Sequence, residues 1–158
     1  MCDYCGCRAL EAIETLTAEH DLVVNLAGET RRALKRGDLD LAADRARAVA
    51  AVLVPHTLVE EGALFPAMAD EYGDHVTVLL DEHRRIEDVL AESAQITPSD
   101  PDWPTRLERA LWLLREHILK EEDGVFPAAL GSLAPAQWDA VDAVWAQVGS
   151  GLTIGVVG

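Results

Sequence analysis

The chain has 158 residues, a formal net charge of −15 and a hydrophobic fraction of 49 %. This length suits one compact domain with a sizeable core. The excess of acidic residues argues against a nucleic-acid partner and against an anionic membrane surface, because both require basic patches. No apolar run approaches the roughly 20 residues of a membrane span, and the acidic, Cys-rich N-terminus is unlike a signal peptide. We therefore expect a cytoplasmic protein that binds neither nucleic acid nor membrane.

The first half of the chain carries helix-forming residues with an apolar period near 3.6 residues and no strand-like alternation. A short lead-in is expected before a first helix, which begins at Thr17 as its N-cap and ends near Gly37. A second helix follows Asp38 and continues through the first Glu-Glu pair. Pro55 lies inside this helix and is expected to kink it or to loosen one turn.

The second half of the chain is predicted to hold two further long helices. One runs from about His75, with Asp74 as its N-cap, to about Gln95. The other runs from about Thr105 to Asp123, after a loop rich in Pro and Asp.

A last amphipathic segment places Trp138, Val141 and Trp145 on one face, which suits either the core or a dimer surface. Four long helices with short connections predict an all-α fold, an antiparallel up-down four-helix bundle with a short additional C-terminal helix. We divide the chain into a Cys-rich head and lead-in (1–16), the bundle (17–130), and the C-terminal helix with a loosely docked or frayed tail (131–158).

Two eleven-residue segments repeat one pattern, HTLVEEGALFP at 56–66 and HILKEEDGVFP at 117–127. Each begins with His, has Glu-Glu four and five residues later, and ends in Phe-Pro. A lone His lies upstream of each segment at a nearly equal distance, His20 in the first half and His83 in the second. The Phe-Pro pairs are expected to form an apolar plug and a helix stop below the site.

Residues four apart lie on one face of an α-helix, about 40° apart around its axis. His56 and Glu60 can therefore point at one spot, and so can His117 and Glu121. Glu61 is one residue farther on and points elsewhere unless the helix distorts. In a helical bundle these faces converge on the axis.

So many buried ionisable groups are expensive without a cation to coordinate. Mixed imidazole and carboxylate ligation suits iron, with manganese and zinc as less favoured competitors, and the lack of Cys argues against a structural zinc site. His75 is expected at a helix end or on the surface and is the natural negative control. The candidate metal ligands are His20, His56, Glu60, His83, Glu87, His117 and Glu121.

At these residues the chain resembles the hemerythrin-like (HHE cation-binding) family, in its bacterial form. The order of a lone His, His-x3-Glu, a lone His and His-x3-Glu, with EE-x3-FP endings, matches that family over about residues 17–127. The resemblance implies an antiparallel four-helix bundle around a non-haem di-iron centre, with two bridging carboxylates and an oxo or hydroxo bridge.

Two positions depart from the oxygen-carrying members of that family. Glu87 stands where the carriers have a second His on the third helix. The carriers also have Asp five residues after the helix-four His, where this chain has Glu122, so Glu122 is the alternative to Glu121. An added carboxylate stabilises the ferric state, which argues against reversible oxygen carriage and for sensing, peroxide chemistry or iron handling.

The head of the chain holds all three cysteines, Cys2, Cys5 and Cys7. Three thiolates in one turn-sized loop could bind zinc or copper(I), or the C-x2-C pair could cycle between dithiol and disulfide. The alternative is a flexible reduced tail whose thiols are incidental.

The function expected from these features is binding of, and reaction with, small oxidants (oxygen, hydrogen peroxide or nitric oxide) in oxidative stress or iron homeostasis. An enzymatic version would be a catalase-like, peroxide-decomposing activity or an oxidase. The alternative is a non-enzymatic sensor of oxygen, redox state or iron, or a module for iron storage or delivery. Expected partners are a small-molecule oxidant and an unidentified reductant, with the chain as a monomer or homodimer.

Overall fold

The computed structural model describes residues 5–153, which form helices and turns and no strand. The fold is all-helical and consistent with the expected helical bundle. Its α-helices are α1 (Cys5–Lys35), α2 (Leu39–Val59), α3 (Phe65–Ala91), α4 (Trp103–Lys120), α5 (Phe126–Ser132) and α6 (Pro135–Val148). The helix α1 packs mainly against α2, and α3 packs mainly against α4.

Two π-turns, Glu60–Leu64 and Glu121–Val125, connect α2 to α3 and α4 to α5 without a break in the helical path. In the first, the N–H of Phe65 donates to the carbonyl of Glu60, five residues earlier. The proline after Phe65 explains the wider turn, because Pro66 has no N–H to donate to the carbonyl of Gly62, as an α-helix would need. The expected helix stop at Phe-Pro is therefore wrong.

One predicted helix start is also wrong, and another is only partly right. The first helix begins at Cys5 and not at Thr17, because the lead-in buries Ala9 and Leu16 in the core and continues without a break. The predicted start at Asp74 is closer to the structure, because α3 consists of two helical segments joined by a kink at Tyr72, and the second segment begins just after the kink. The first segment, from Phe65, was not predicted. The only non-helical backbone recorded within α3 is at Tyr72, with φ −125° and ψ 33°.

The second helix begins as predicted, since the Asp38 side chain accepts a hydrogen bond from the N–H of Leu41 (3.2 Å). It then runs through Pro55 without interruption, and the loosened turn lies farther on, at Glu60–Leu64. The fourth helix ends at Lys120 because its predicted last turn is the second π-turn.

The buried apolar side chains form two clusters, and the four helical histidines from the repeat lie near the level where the two clusters meet. The first cluster includes Val23, Leu53, Ile86, Leu114 and Ile118. The second cluster includes Leu16, Val59, Leu79, Phe65, Phe126 and Val125. A polar layer thus separates two apolar halves of the core.

By length and composition, Leu39–Ala91 is apolar enough to cross a membrane, with a window of mean hydropathy 1.4. This differs from the expectation from the sequence. Of that window, 61 % is buried inside the protein, as is common for a core helix.

The C-terminal segment packs more closely than predicted. Trp138 and Val141 of α6 are buried within the chain, and Trp145 is half-buried beside them. The chain then turns at Gly149 (φ 75°) and buries Ser150 and Gly151, so the expected loosely docked tail is wrong for these two residues, whereas Leu152 and Thr153 are exposed.

Candidate metal centre

Four buried histidines, one from each of the four long helices, meet in the polar layer. The Nε2 atoms of His20 and His56 lie 3.1 Å apart. Those of His83 and His117 lie 3.0 Å apart. The repeat thus produces two imidazole pairs, each formed by the two helices of one half of the chain.

A fully buried carboxylate, Glu60, connects the two imidazole pairs. Its Oε1 atom lies 3.0 Å from Nε2 of His56 and 3.4 Å from Nε2 of His83. Glu60 is the first residue of the first π-turn, which begins one helical turn after His56.

Glu121 makes the equivalent connection from the second π-turn. Its Oε1 atom lies 3.1 Å from Nε2 of His20 and 3.4 Å from Nε2 of His117. The candidate ligands therefore form two overlapping groups that share both carboxylates. The first group is His20, His56, Glu60 and Glu121, and the second group is Glu60, His83, His117 and Glu121. Sharing of this kind suits two adjacent cations.

The second Glu of each pair contacts the outer nitrogen of a histidine on another helix. Glu122 Oε2 lies 2.8 Å from Nδ1 of His20, and Glu61 Oε2 lies 2.6 Å from Nδ1 of His83. The helix does distort there into a π-turn, and both side chains point away from the two candidate groups, toward the outer nitrogens.

The other two histidines are held by acids that precede the lone histidines in the sequence. Nδ1 of His56 lies 2.9 Å from Glu19 Oε1, and Nδ1 of His117 lies 3.1 Å from Glu82 Oε1. Each of the four imidazoles is thus oriented by one carboxylate, as is common for metal-binding histidines.

These contacts determine what the centre can bind. An ionised carboxylate only accepts hydrogen bonds, so each Nδ1 must carry the proton, and each Nε2 of a neutral imidazole is then an acceptor. The four carboxylate oxygens of Glu60 and Glu121 are buried and have no hydrogen-bond partner. Eight acceptor atoms therefore face one another with no donor, an arrangement that protons or metal cations can satisfy. The residues fit a metal pair.

The buried carboxylates also raise the pKa of nearby histidines. Burial opposes ionisation of His83, but its interactions with Glu60 and Glu61 outweigh burial and raise its pKa to about 9. For His56, burial is again outweighed, by the charge of Glu60 and by Glu19, and the pKa is raised well above its ordinary value. In the metal-free protein, these raised pKa values favour protonated imidazoles within the centre.

Two phenylalanines from the repeat stack on the lone histidines. The ring of Phe65 lies 5.5 Å from that of His83, inclined by 19°, and the ring of Phe126 lies 5.5 Å from that of His20, inclined by 11°. Both Phe residues are buried, so the expected apolar plug is present.

A cavity of about 20 Å³ adjoins the four imidazoles and is otherwise lined mainly by apolar side chains such as Leu53 and Ile86. Glu87 lines it too, but this side chain is exposed and belongs to neither candidate group. Its assignment as a ligand stays a prediction.

The structure brings together the six other predicted ligands, His20, His56, Glu60, His83, His117 and Glu121. His75 is exposed and contacts Tyr72 edge-on. The orienting roles of Glu19, Glu61, Glu82 and Glu122 were not predicted from the sequence. The sequence does contain a signal for these four acids. Glu19 and Glu82 directly precede the lone histidines, and Glu61 and Glu122 directly follow the candidate ligands Glu60 and Glu121.

The cysteine head is only partly described. Cys2 lies outside the described residues, and Cys5 and Cys7 belong to the first turn of α1, so the expected loop is helical there. Cys7 is exposed. A redox or metal role for the three cysteines stays a prediction.

Comparison with known proteins agrees with this geometry. Residues 11–129 match the family model for the hemerythrin HHE cation binding domain. A protein described as a DNA nickase, from Nostoc sp., is 29 % identical over 86 residues, which are 54 % of this chain and 24 % of that protein. The chain therefore spans about a quarter of that relative's length. No solved structure gives a significant match. The chain belongs to the hemerythrin HHE cation-binding family.

Proposed function

We propose that this protein is a di-iron protein that binds oxygen, hydrogen peroxide or nitric oxide and reacts with such small oxidants. The observation that carries the proposal is the pair of candidate groups that share Glu60 and Glu121. Each position offers two imidazoles and two shared carboxylates, a ligand set that suits iron. A structural zinc site would instead favour thiolate ligands and a closed coordination shell. Iron bound there would supply redox chemistry and open coordination positions.

The protein's own residues would hold the two metal ions and orient the imidazole ligands. The four imidazoles would bind through Nε2, because their Nδ1 atoms are engaged by carboxylates. Glu60 and Glu121 would bridge, since each lies within 3.4 Å of an imidazole from both pairs. We propose that this arrangement belongs to an antiparallel four-helix bundle, extended by α6.

The small volume of the cavity beside the imidazoles supports the proposal that the ligands are small molecules. A cavity of about 20 Å³ has room for about one water-sized molecule. A space of this size favours diatomic gases and peroxide over larger organic substrates. We propose that the protein acts in the cytoplasm in oxidative stress or iron homeostasis, with a separate reductant, as a monomer or homodimer.

The test begins with iron loading of the purified protein. About two irons per chain, with charge-transfer absorption that changes on addition of peroxide, is the expected result. A protein that takes up no iron would contradict the proposal.

Turnover then distinguishes an enzyme from a sensor or storage module. Oxygen evolution from hydrogen peroxide that is lost in His56→Ala and kept in His75→Ala would establish a catalase-like activity. His75 is the matched control because it is exposed and outside both candidate groups. Stable iron binding without turnover would favour the sensor or iron-storage alternative.

A further inference from the structure

The geometry points to Ser150, in the turn after α6, as a positioning residue for the metal position formed by His20 and His56. Through it, the Gly149-Ser150-Gly151 turn makes the two metal positions unequal. This inference rests on the proposed two-metal centre, but it concerns residues outside the region that matches the family model, which ends at residue 129.

Ser150 reaches a metal ligand through one carboxylate. Its hydroxyl donates to Glu19 Oε2 at 2.5 Å, and Glu19 Oε1 accepts from Nδ1 of His56 at 2.9 Å. Glu19 is 0 % exposed and Ser150 is 9 % exposed. The chain Ser150–Glu19–His56 is therefore buried along its length and leads to the candidate ligand atom.

The direction of the serine hydrogen bond is determined by its surroundings. The N–H of Leu152 donates to Ser150 Oγ at 3.2 Å, so this oxygen already accepts one hydrogen bond. Its single proton is then available for Glu19, which as a carboxylate can only accept. Both oxygens of Glu19 are thereby satisfied, and the carboxylate is held in one orientation.

The turn that carries Ser150 has little freedom to move. Gly149 has φ 75°, a conformation that favours glycine. A Cβ on Gly151 would come within 3.0 Å of Val52 Cγ1 and 3.1 Å of its backbone Cα. The two glycines thus let the turn approach α2 closely enough for Ser150 to reach Glu19.

The other half of the centre is built differently. Glu82, which orients His117, pairs through Oε2 with the ammonium group of Lys120 at 2.5 Å. Lys120 is a cation with a half-exposed side chain, whereas Ser150 is a buried neutral donor. The charge of Glu82 is therefore compensated, while that of Glu19 acts more fully on His56. A more negative partner makes an imidazole a stronger donor to metal, so the His20–His56 position should bind metal more tightly.

The test is a titration with Co²⁺, followed by absorption and by metal analysis of the separated protein. The wild-type chain should bind two Co²⁺ ions. In Ser150→Ala, we expect one of the two to bind about tenfold more weakly, the low end of the effect of losing a ligand's orienting partner, because Glu19 is then less firmly oriented toward His56. The other should be unchanged. Gly151→Ala should act in the same direction, because its methyl group displaces the turn.

Matched controls remove an exposed hydroxyl or fill an open glycine position. Ser132→Ala loses only an exposed hydrogen bond to a backbone carbonyl, and Gly131→Ala meets nothing within 4 Å, so both should bind like wild type. Two-ion binding by wild type with both affinities unchanged, or both equally weakened, in Ser150→Ala would overturn the role of Ser150. Failure of the wild type to bind any metal would instead overturn the proposed function.

Discussion

The ring of Phe126 stacks on the imidazole of His20, with centroids 5.5 Å apart and planes inclined by 11°. Phe126 lies in the second copy of the repeat, and His20 lies in the first half of the chain. Phe65 and His83 make the reciprocal contact. The two halves therefore each supply the apolar wall for a histidine of the other half, which couples the candidate metal centre to the second apolar cluster.

Phe126→Ala should lower the free energy of unfolding of the metal-free protein by about 3–5 kcal/mol, because it removes a buried ring and leaves a cavity. Urea denaturation measures this loss. Leu130→Ala, on the same helix but 38 % exposed, is the control and should cost about 1 kcal/mol or less. Equal losses in the two variants would contradict the packing role of Phe126.

The adjacent acids Glu121 and Glu122 should respond differently to neutralisation. Glu121→Gln removes a shared carboxylate and should reduce the metal content below two per chain. Glu122→Gln should keep both metals but weaken binding by roughly 10–100-fold, because it only orients His20. Metal analysis at low and high metal concentration separates these outcomes.

Glu87→Gln is the matched variant at the position that the sequence also predicts as a ligand. Because Glu87 is exposed and outside both candidate groups, we expect two metals per chain with unchanged affinity. Loss of one metal in this variant would restore Glu87 to the ligand set.

The prolines that follow the π-turns should also affect binding. Pro66→Ala supplies an N–H that can donate to the carbonyl of Gly62, so a regular α-helix competes with the π-turn that begins at Glu60. We expect weaker metal binding with no loss of stability in the metal-free protein. A lower stability of the metal-free protein together with an unchanged metal affinity would contradict this role of Pro66.

The metal-free protein should lose stability as the pH rises. The pKa of His83 is raised to about 9 in the folded protein, against about 6.5 when unfolded. The stabilisation is therefore complete below pH 6.5 and is lost as the pH rises through 9, by an amount of the order of 3 kcal/mol. Urea midpoints measured across this range should fall.

The His83→Gln variant should show a shallower fall over the same range, with His75→Gln unchanged as the control. Because metal ions replace these protons, metal affinity should instead increase with pH. A metal-free protein whose stability rises between pH 6.5 and 9 would contradict this assignment.

The internal repeat allowed most of the centre to be predicted. Ligands spaced four apart on one helical face are a local property, so the spacing alone pairs His56 with Glu60 and His117 with Glu121. The helical class followed from the same period. Helix starts were less predictable, because the burial of Leu16 in the core extends α1 back to Cys5.

The sequence by itself therefore determined the all-helical class and six residues of the two candidate groups, because both depend on spacing along one helix. Only the tertiary structure decided which carboxylate orients each imidazole, since the contact of Glu122 with His20 joins residues from opposite halves of the chain. It also decided the place of Ser150, whose contact with Glu19 joins the two ends of the chain. Such contacts have no local period, and only the packing of helices brings them together.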